Sequence, residues 1–280
     1  MTRTSAIARL FGSRRGLVGG AGLAVMIAIG VLAPALAPYS YSTQSLLHRL
    51  KPPSSAHWLG TDGFGRDVLS RVVWGSRVSL EIGFFATTVS LVVGTVAGSL
   101  AGYVGAAVDT AIMRAADMFM SVPALFLILI VVALFGASLT HTALVVALVT
   151  WAPVARIVRS ECLSLQARDF VHAAQALGAG PVRILGRHLL LNALPLIIVQ
   201  GTLLLGQTIL IESGLSYLGL GAQPPLPSWG NMLVEGRQHL ASAWWIATFP
   251  GMAIFITVLG FNVFGDGLRD ALDPTLRGSS

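Results

Sequence analysis

Twelve carboxylates, six histidines and one cysteine are the groups through which this chain of 280 residues could carry acid–base, metal or thiol chemistry, and their spacing supports none of the three. His48, His57, His141, His172, His188 and His239 are scattered, with no pair at metal-ligand spacing, so no metal site is expected. Cys162 has no second cysteine to pair with and belongs to no ligand cluster. There is no Gly-x-x-x-x-Gly-Lys-Ser/Thr phosphate loop, no His-Glu-x-x-His and no Cys-x-x-Cys. The chain reads as a protein without catalytic residues or a cofactor of its own.

The elements that would position any functional group are set by composition. Hydrophobic residues make up 54% of the chain, charged residues 11%, and the mean hydropathy is +0.76. These values lie outside the soluble range and predict an all-α transmembrane fold in contact with membrane lipid. The apolar runs are continuous rather than alternating, which argues against a barrel. The net charge of +6 is spread between those runs with no aromatic stripe, so nucleic acid is not an expected partner.

Six spans are expected. The first covers residues 16–37 and the second 82–108; the uncharged run 118–155 is divided into the third and fourth by Gly136-Ala137-Ser138. The fifth covers 189–211, bent at Pro195, and the sixth ends near Gly265. Placing both termini inside puts twelve of the eighteen basic residues in inside segments, which favours N-in and C-in. Residues 1–78 then form an N-terminal arm, first span and external segment. Residues 79–280 form the core, with a cytoplasmic loop at about 159–188 and a cytoplasmic tail at 266–280.

Smaller features refine this picture. Gly94, Gly98 and Gly102 share one helical face that can approach another helix closely. Arg66 to Arg77 could lie as an amphipathic helix on the membrane surface. Trp244-Trp245 fall where an interfacial belt would begin. Glu81, Asp109, Asp117 and Glu212 fall at predicted span ends, where snorkelling or capping explains them better than a proton relay. Asp62, Arg66 and Asp67 suit a local charge and turn network, while Asn192 and Gln207 are polar within the fifth span and could line a pathway or bond to neighbouring helices.

The loop between spans four and five holds the most specific pattern. Asp169 is placed as an N-cap; Phe170, Ala173, Ala174 and Leu177 share a face of a short helix; Gly178 ends it in the left-handed conformation. Gly180-Pro181 would open a second short helix. The segment resembles the Glu-Ala-Ala loop of bacterial ABC importer permeases, with Ala173-Ala174 followed at the family spacing by Gly178. His172 occupies the glutamate position, which is frequently altered in the peptide branch, and Leu191 stands before Asn192 where proline is common. Residues 57–71, 215–221 and 265–274 are similar to further blocks of the dipeptide and oligopeptide permease C-type subunit, so the resemblance covers about residues 10–274.

The resemblance implies a six-helix type I ABC importer permease in the bacterial cytoplasmic membrane, a multi-pass subunit that moves dipeptides or short oligopeptides inward. It implies a second, related permease as heterodimer partner, two ATP-binding subunits that hold ATP and magnesium, and an extracytoplasmic substrate-binding protein. It makes Asp169, Phe170, His172, Ala173, Ala174, Leu177 and Gly178 a cytoplasmic coupling helix between spans four and five. Nickel or another small solute is an alternative cargo, and an ion-coupled secondary transporter an alternative mechanism.

Overall fold

A computed structural model describes residues 10, 12–136 and 138–272, so residues 1–9, Phe11, Ala137 and residues 273–280 lie outside the described residues. Helix α1 (Arg14–Val31) is capped by Ser13, whose hydroxyl accepts the Gly16 N–H at 2.9 Å. After the short α2 (Ala33–Leu36), an irregular segment leads to α3 (Val68–Val104). Gly105, at φ +67°, separates α3 from α4 (Ala106–Ser121), and Pro123 separates α4 from α5 (Ala124–Phe135). Gly136, at φ +82°, then precedes α6 (Leu139–Gln166), where the Ser138 hydroxyl accepts the His141 N–H at 3.1 Å. The expected break between spans three and four is therefore where the glycine and serine placed it.

Helix α7 (Asp169–Ala176) follows, then the short α8 (Pro181–Arg183). A wide-wound π-helical stretch, Ile184–Leu190, joins α8 directly to α9 (Leu191–Tyr217), which continues through Pro195. Helix α10 (Trp229–Arg237) carries a reciprocal cap, in which Ser228 accepts from the Asn231 backbone and the Asn231 side chain accepts from the Ser228 backbone. Helix α11 (Trp245–Leu272) ends the described chain. Among the described residues, five rods are long and apolar enough to cross a membrane: α1, α3, α6, the continuous Pro181–Tyr217 helix and α11. The pair α4 and α5, bent by 86° at its break, makes up to six.

Several boundaries correct the sequence expectations. Helix α3 begins at Val68 rather than near residue 82, because Asp67 caps it by accepting the Ser70 N–H at 2.8 Å. Arg71 and Arg77 thus belong to the span helix and not to a separate surface helix. The expected third span is broken within its length at Pro123, which cannot supply the backbone donor needed to continue α4, so α4 and α5 together occupy that place. Pro181 starts the helix that becomes span five instead of a separate short one. Helix α11 runs seven residues past Gly265. Trp245 is buried and its indole N–H donates to the Thr61 carbonyl at 3.1 Å, so only Trp244 has the exposure that an interfacial residue needs.

The bundle is drawn together at the crossing of α3 and α6. A Cβ on Gly94 would sit 2.6 Å from that of Val154, one on Gly98 would strike the Ala155 carbonyl, and one on Gly102 would sit 2.8 Å from that of Cys162. The numbers rise together along both helices, so α3 and α6 run parallel. Gln166 at the end of α6 donates to the Tyr103 carbonyl at the end of α3, 3.2 Å away, where α7 begins. Arg15 and Asp270 pair at 3.4 Å, and both lie at the ends of their helices opposite the Thr61–Trp245 contact. The segments before α3 and around α10 form a cap at the other end of the bundle.

Candidate functional site

Helix α7 is held by little. Val171 is fully buried, in a cluster that includes Leu165, Ile184 and Leu189, and is the buried side chain of this helix. Phe170 is 40% exposed and Leu177 88% exposed, while Asp169, His172, Ala173 and Gly178 are also exposed and Ala174 is half-buried. Asp169 is the first helical residue and Arg168 occupies the cap position without a side-chain bond, which corrects the expected N-cap. A carboxylate in the first turn still complements the N-terminal dipole. Gly178 adopts φ +80°, and the next N–H, that of Ala179, returns to the Ala174 carbonyl at 3.0 Å. A Cβ at Gly178 would meet nothing within 4 Å, so its conformation, rather than crowding, calls for glycine.

Asn192 and Gln207 are both exposed on α9. Asn192 uses its amide to donate to the His188 carbonyl one turn earlier, at 2.5 Å.

The cap contains a buried charged cluster wider than the sequence suggested. Arg66 Nε donates to Asp62 Oδ2 at 2.6 Å, Arg71 Nη1 bonds to the same oxygen, and both arginines also reach Glu235 of α10 at 2.7 Å. Burial alone would push the Asp62 carboxyl up; Arg71, Arg66 and the N–H groups of Arg66 and Phe64 outweigh it and hold the pKa below the ordinary value. Asp67 completes its own turn by accepting from Ser70 while its second oxygen meets His57 Nδ1 at 2.9 Å. Of the expected network, Asp62 and Arg66 pair, whereas the Asp67 side chain turns to Ser70 and His57, and sequence reasoning missed Arg71 and Glu235.

Glu212 was also misplaced by sequence. It lies inside α9, fully buried, with Ser216 donating to it at 2.7 Å and Ser213 at 3.5 Å. Its i+1 and i+4 serines were the available signal. Asp109 and Asp117 are not simple span ends either, because they pair across to Arg159 and Arg156 of α6. The arrangement offers helix packing, an exposed helical knuckle and a charged cap, and the described residues contain no metal-ligand cluster.

Long apolar helices with small-residue crossings and a lightly moored helix outside the core define a polytopic membrane protein. Residues 94–278 match the family described as binding-protein-dependent transport system inner membrane component, and the chain belongs to that family. Residues 4–53 match the N-terminal transmembrane domain of oligopeptide transport permease C. The dipeptide transport system permease protein of Alkalihalophilus pseudofirmus is 46% identical over 90% of this chain and 83% of its own. A glutathione transport system permease protein of Pectobacterium atrosepticum is 42% identical over 90% and 84%. The oligopeptide transport system permease protein of Bacillus subtilis is 40% identical over 97% and 89%. The chain is accordingly a multi-pass inner-membrane permease of the ABC importer class, a family that works with ATP-binding and substrate-binding proteins.

Proposed function

We propose that this subunit moves dipeptides or short oligopeptides into the cell, as one half of a heterodimeric pathway formed with a second, related permease. Two ATP-binding subunits, carrying ATP and magnesium, supply the energy, and an extracytoplasmic binding protein delivers the cargo. The peptide relatives at 40–46% identity support this cargo, and so does the glutathione relative, since glutathione is itself a short peptide. The pairing of Arg15 with Asp270 at the α7 end supports the N-in, C-in arrangement.

The observation that carries the mechanism is the exposure of α7. Asp169, Phe170, His172, Ala173, Ala174 and Leu177, closed by Gly178, offer a mostly apolar and small surface to a partner, while Val171 keeps the helix attached to α6 and to residues 184–190. Closure of the ATPase pair would displace α7, and the displacement would pass through residues 184–190 into α9. Asn192 and Gln207 on that helix are candidates for lining the pathway. Such coupling requires the knuckle's contacts to differ between the two states.

Leu177→Glu tests this directly, because an 88% exposed side chain contributes little to folding. The assembled variant is expected to lose ATPase stimulation by loaded binding protein while basal hydrolysis persists. Undiminished peptide uptake would remove the role.

A further inference from the structure

Three arginines and two aspartates meet where α4 lies against α6. Asp109 Oδ1 and Oδ2 take Arg159 Nε and Nη2 at 2.5 Å, and Asp117 takes Arg156. Together with Arg114, these side chains line a cavity of about 440 Å³. Arg114 has no carboxylate partner among the described residues, so the cavity keeps one uncompensated positive charge.

A second cavity of about 480 Å³ opens further along α6, lined by apolar side chains that include Val93, Phe119, Val131, Leu144, Leu148 and Trp151. Phe119 meets Trp151 edge-on, with ring centroids 5.6 Å apart, so α4 and α6 meet again in the wall of this second cavity. Leu144, Leu148 and Val93 remain more than 40% exposed. Twelve residues separate Arg156 from Leu144, about 18 Å of helix rise. The hydrocarbon of one leaflet is about 15 Å deep, half of a core of roughly 30 Å. A charged end and an apolar trough at this separation match the head and one tail of a phospholipid.

We propose that this joint surface binds one anionic phospholipid, its phosphate facing Arg114 and an acyl chain lying in the trough along Leu144 to Trp151. A single phosphate negative charge neutralises the surplus that the two aspartates leave. A zwitterionic headgroup does not. The lipid would brace the 86° turn between α4 and α5. The site stands apart from α7 and makes no use of the transport reading.

The test uses the full chain in its assembled complex, reconstituted with photoactivatable phosphatidylglycerol or phosphatidylcholine carrying the reactive group on the acyl chain. Adducts are mapped by peptide mass spectrometry. The phosphatidylglycerol probe should label the trough residues about fivefold more than the phosphatidylcholine probe, the Boltzmann equivalent of one basic side chain at an anionic surface. Arg114→Gln should abolish that preference and Arg114→Lys retain it, and unlabelled phosphatidylglycerol should compete where millimolar inorganic phosphate does not. Equal labelling by the two probes would overturn the proposal. So would competition by free phosphate, which would make this a soluble-anion site, or labelling absent because another subunit covers the trough.

Discussion

Arg71 and Glu235 stand 164 positions apart, yet Nη1 and Nη2 of the arginine reach the two oxygens of the glutamate at 2.7 and 3.1 Å. The contact ties the first turn of α3 to α10. With Arg66 5% exposed and Arg71 2% exposed, the cluster is balanced only while both carboxylates are present.

Asp62→Asn should therefore destabilise the cap by about 3 kcal/mol, since it leaves buried guanidinium charge without a partner. The acid dependence follows as well. Because the Asp62 pKa is lowered from its ordinary 3.8, its contribution is complete above that pH and is lost as pH falls through the folded-state value. Thermal unfolding of the wild type in detergent should fall off below about pH 4, with a smaller decline in the variant.

Gly98→Ala places a methyl group against the Ala155 carbonyl and must part α3 from α6. A loss of about 1–3 kcal/mol is expected from overpacking. Gly22→Ala on α1, where a Cβ meets nothing within 4 Å, should instead gain about 1 kcal/mol from helix propensity. Opposite shifts in melting temperature would bear this out; equal shifts would contradict the close crossing.

Glu212→Ala removes the acceptor of Ser216 and Ser213 from a fully buried position and should cost about 1–3 kcal/mol per hydroxyl left unsatisfied. Glu212→Gln keeps an amide oxygen for Ser216 and should behave more mildly. A melting temperature lowered more by Glu212→Ala than by Glu212→Gln checks this, and equal values for the two variants would contradict it.

Val171→Ala and Leu177→Ala should differ sharply in local stability. The first removes the buried anchor of α7 and is expected to cost about 1–2 kcal/mol. Hydrogen exchange over residues 169–176 should quicken in that variant and stay unchanged in the second, whose side chain is 88% exposed. Similar protection in both would show that α7 has another mooring.

The spans, the glycine face and the knuckle were legible because each depends on local pattern: an uncharged run, a spacing of four, a glycine after a short helix. The true start of α3 was not, since Arg71 looks like a barrier to a span until a glutamate 164 positions later is brought beside it. Trp245 failed similarly, because an indole at the edge of an apolar run says nothing about Thr61. The bend before α5 had a visible cause in Pro123 that the length of the uncharged run concealed. At the knuckle the residues could be named from sequence, whereas the contrast between buried Val171 and exposed Leu177 needed the packing of α6 and residues 184–190.

The contact between residues 71 and 235 also orders events during synthesis. Two guanidinium groups are made early, and the carboxylate that completes their shell leaves the ribosome only when most of the polypeptide has been translated. Closure of the bundle's capped end is thus a late step of biogenesis, and a chain arrested before that point carries two cationic side chains that share Asp62 alone.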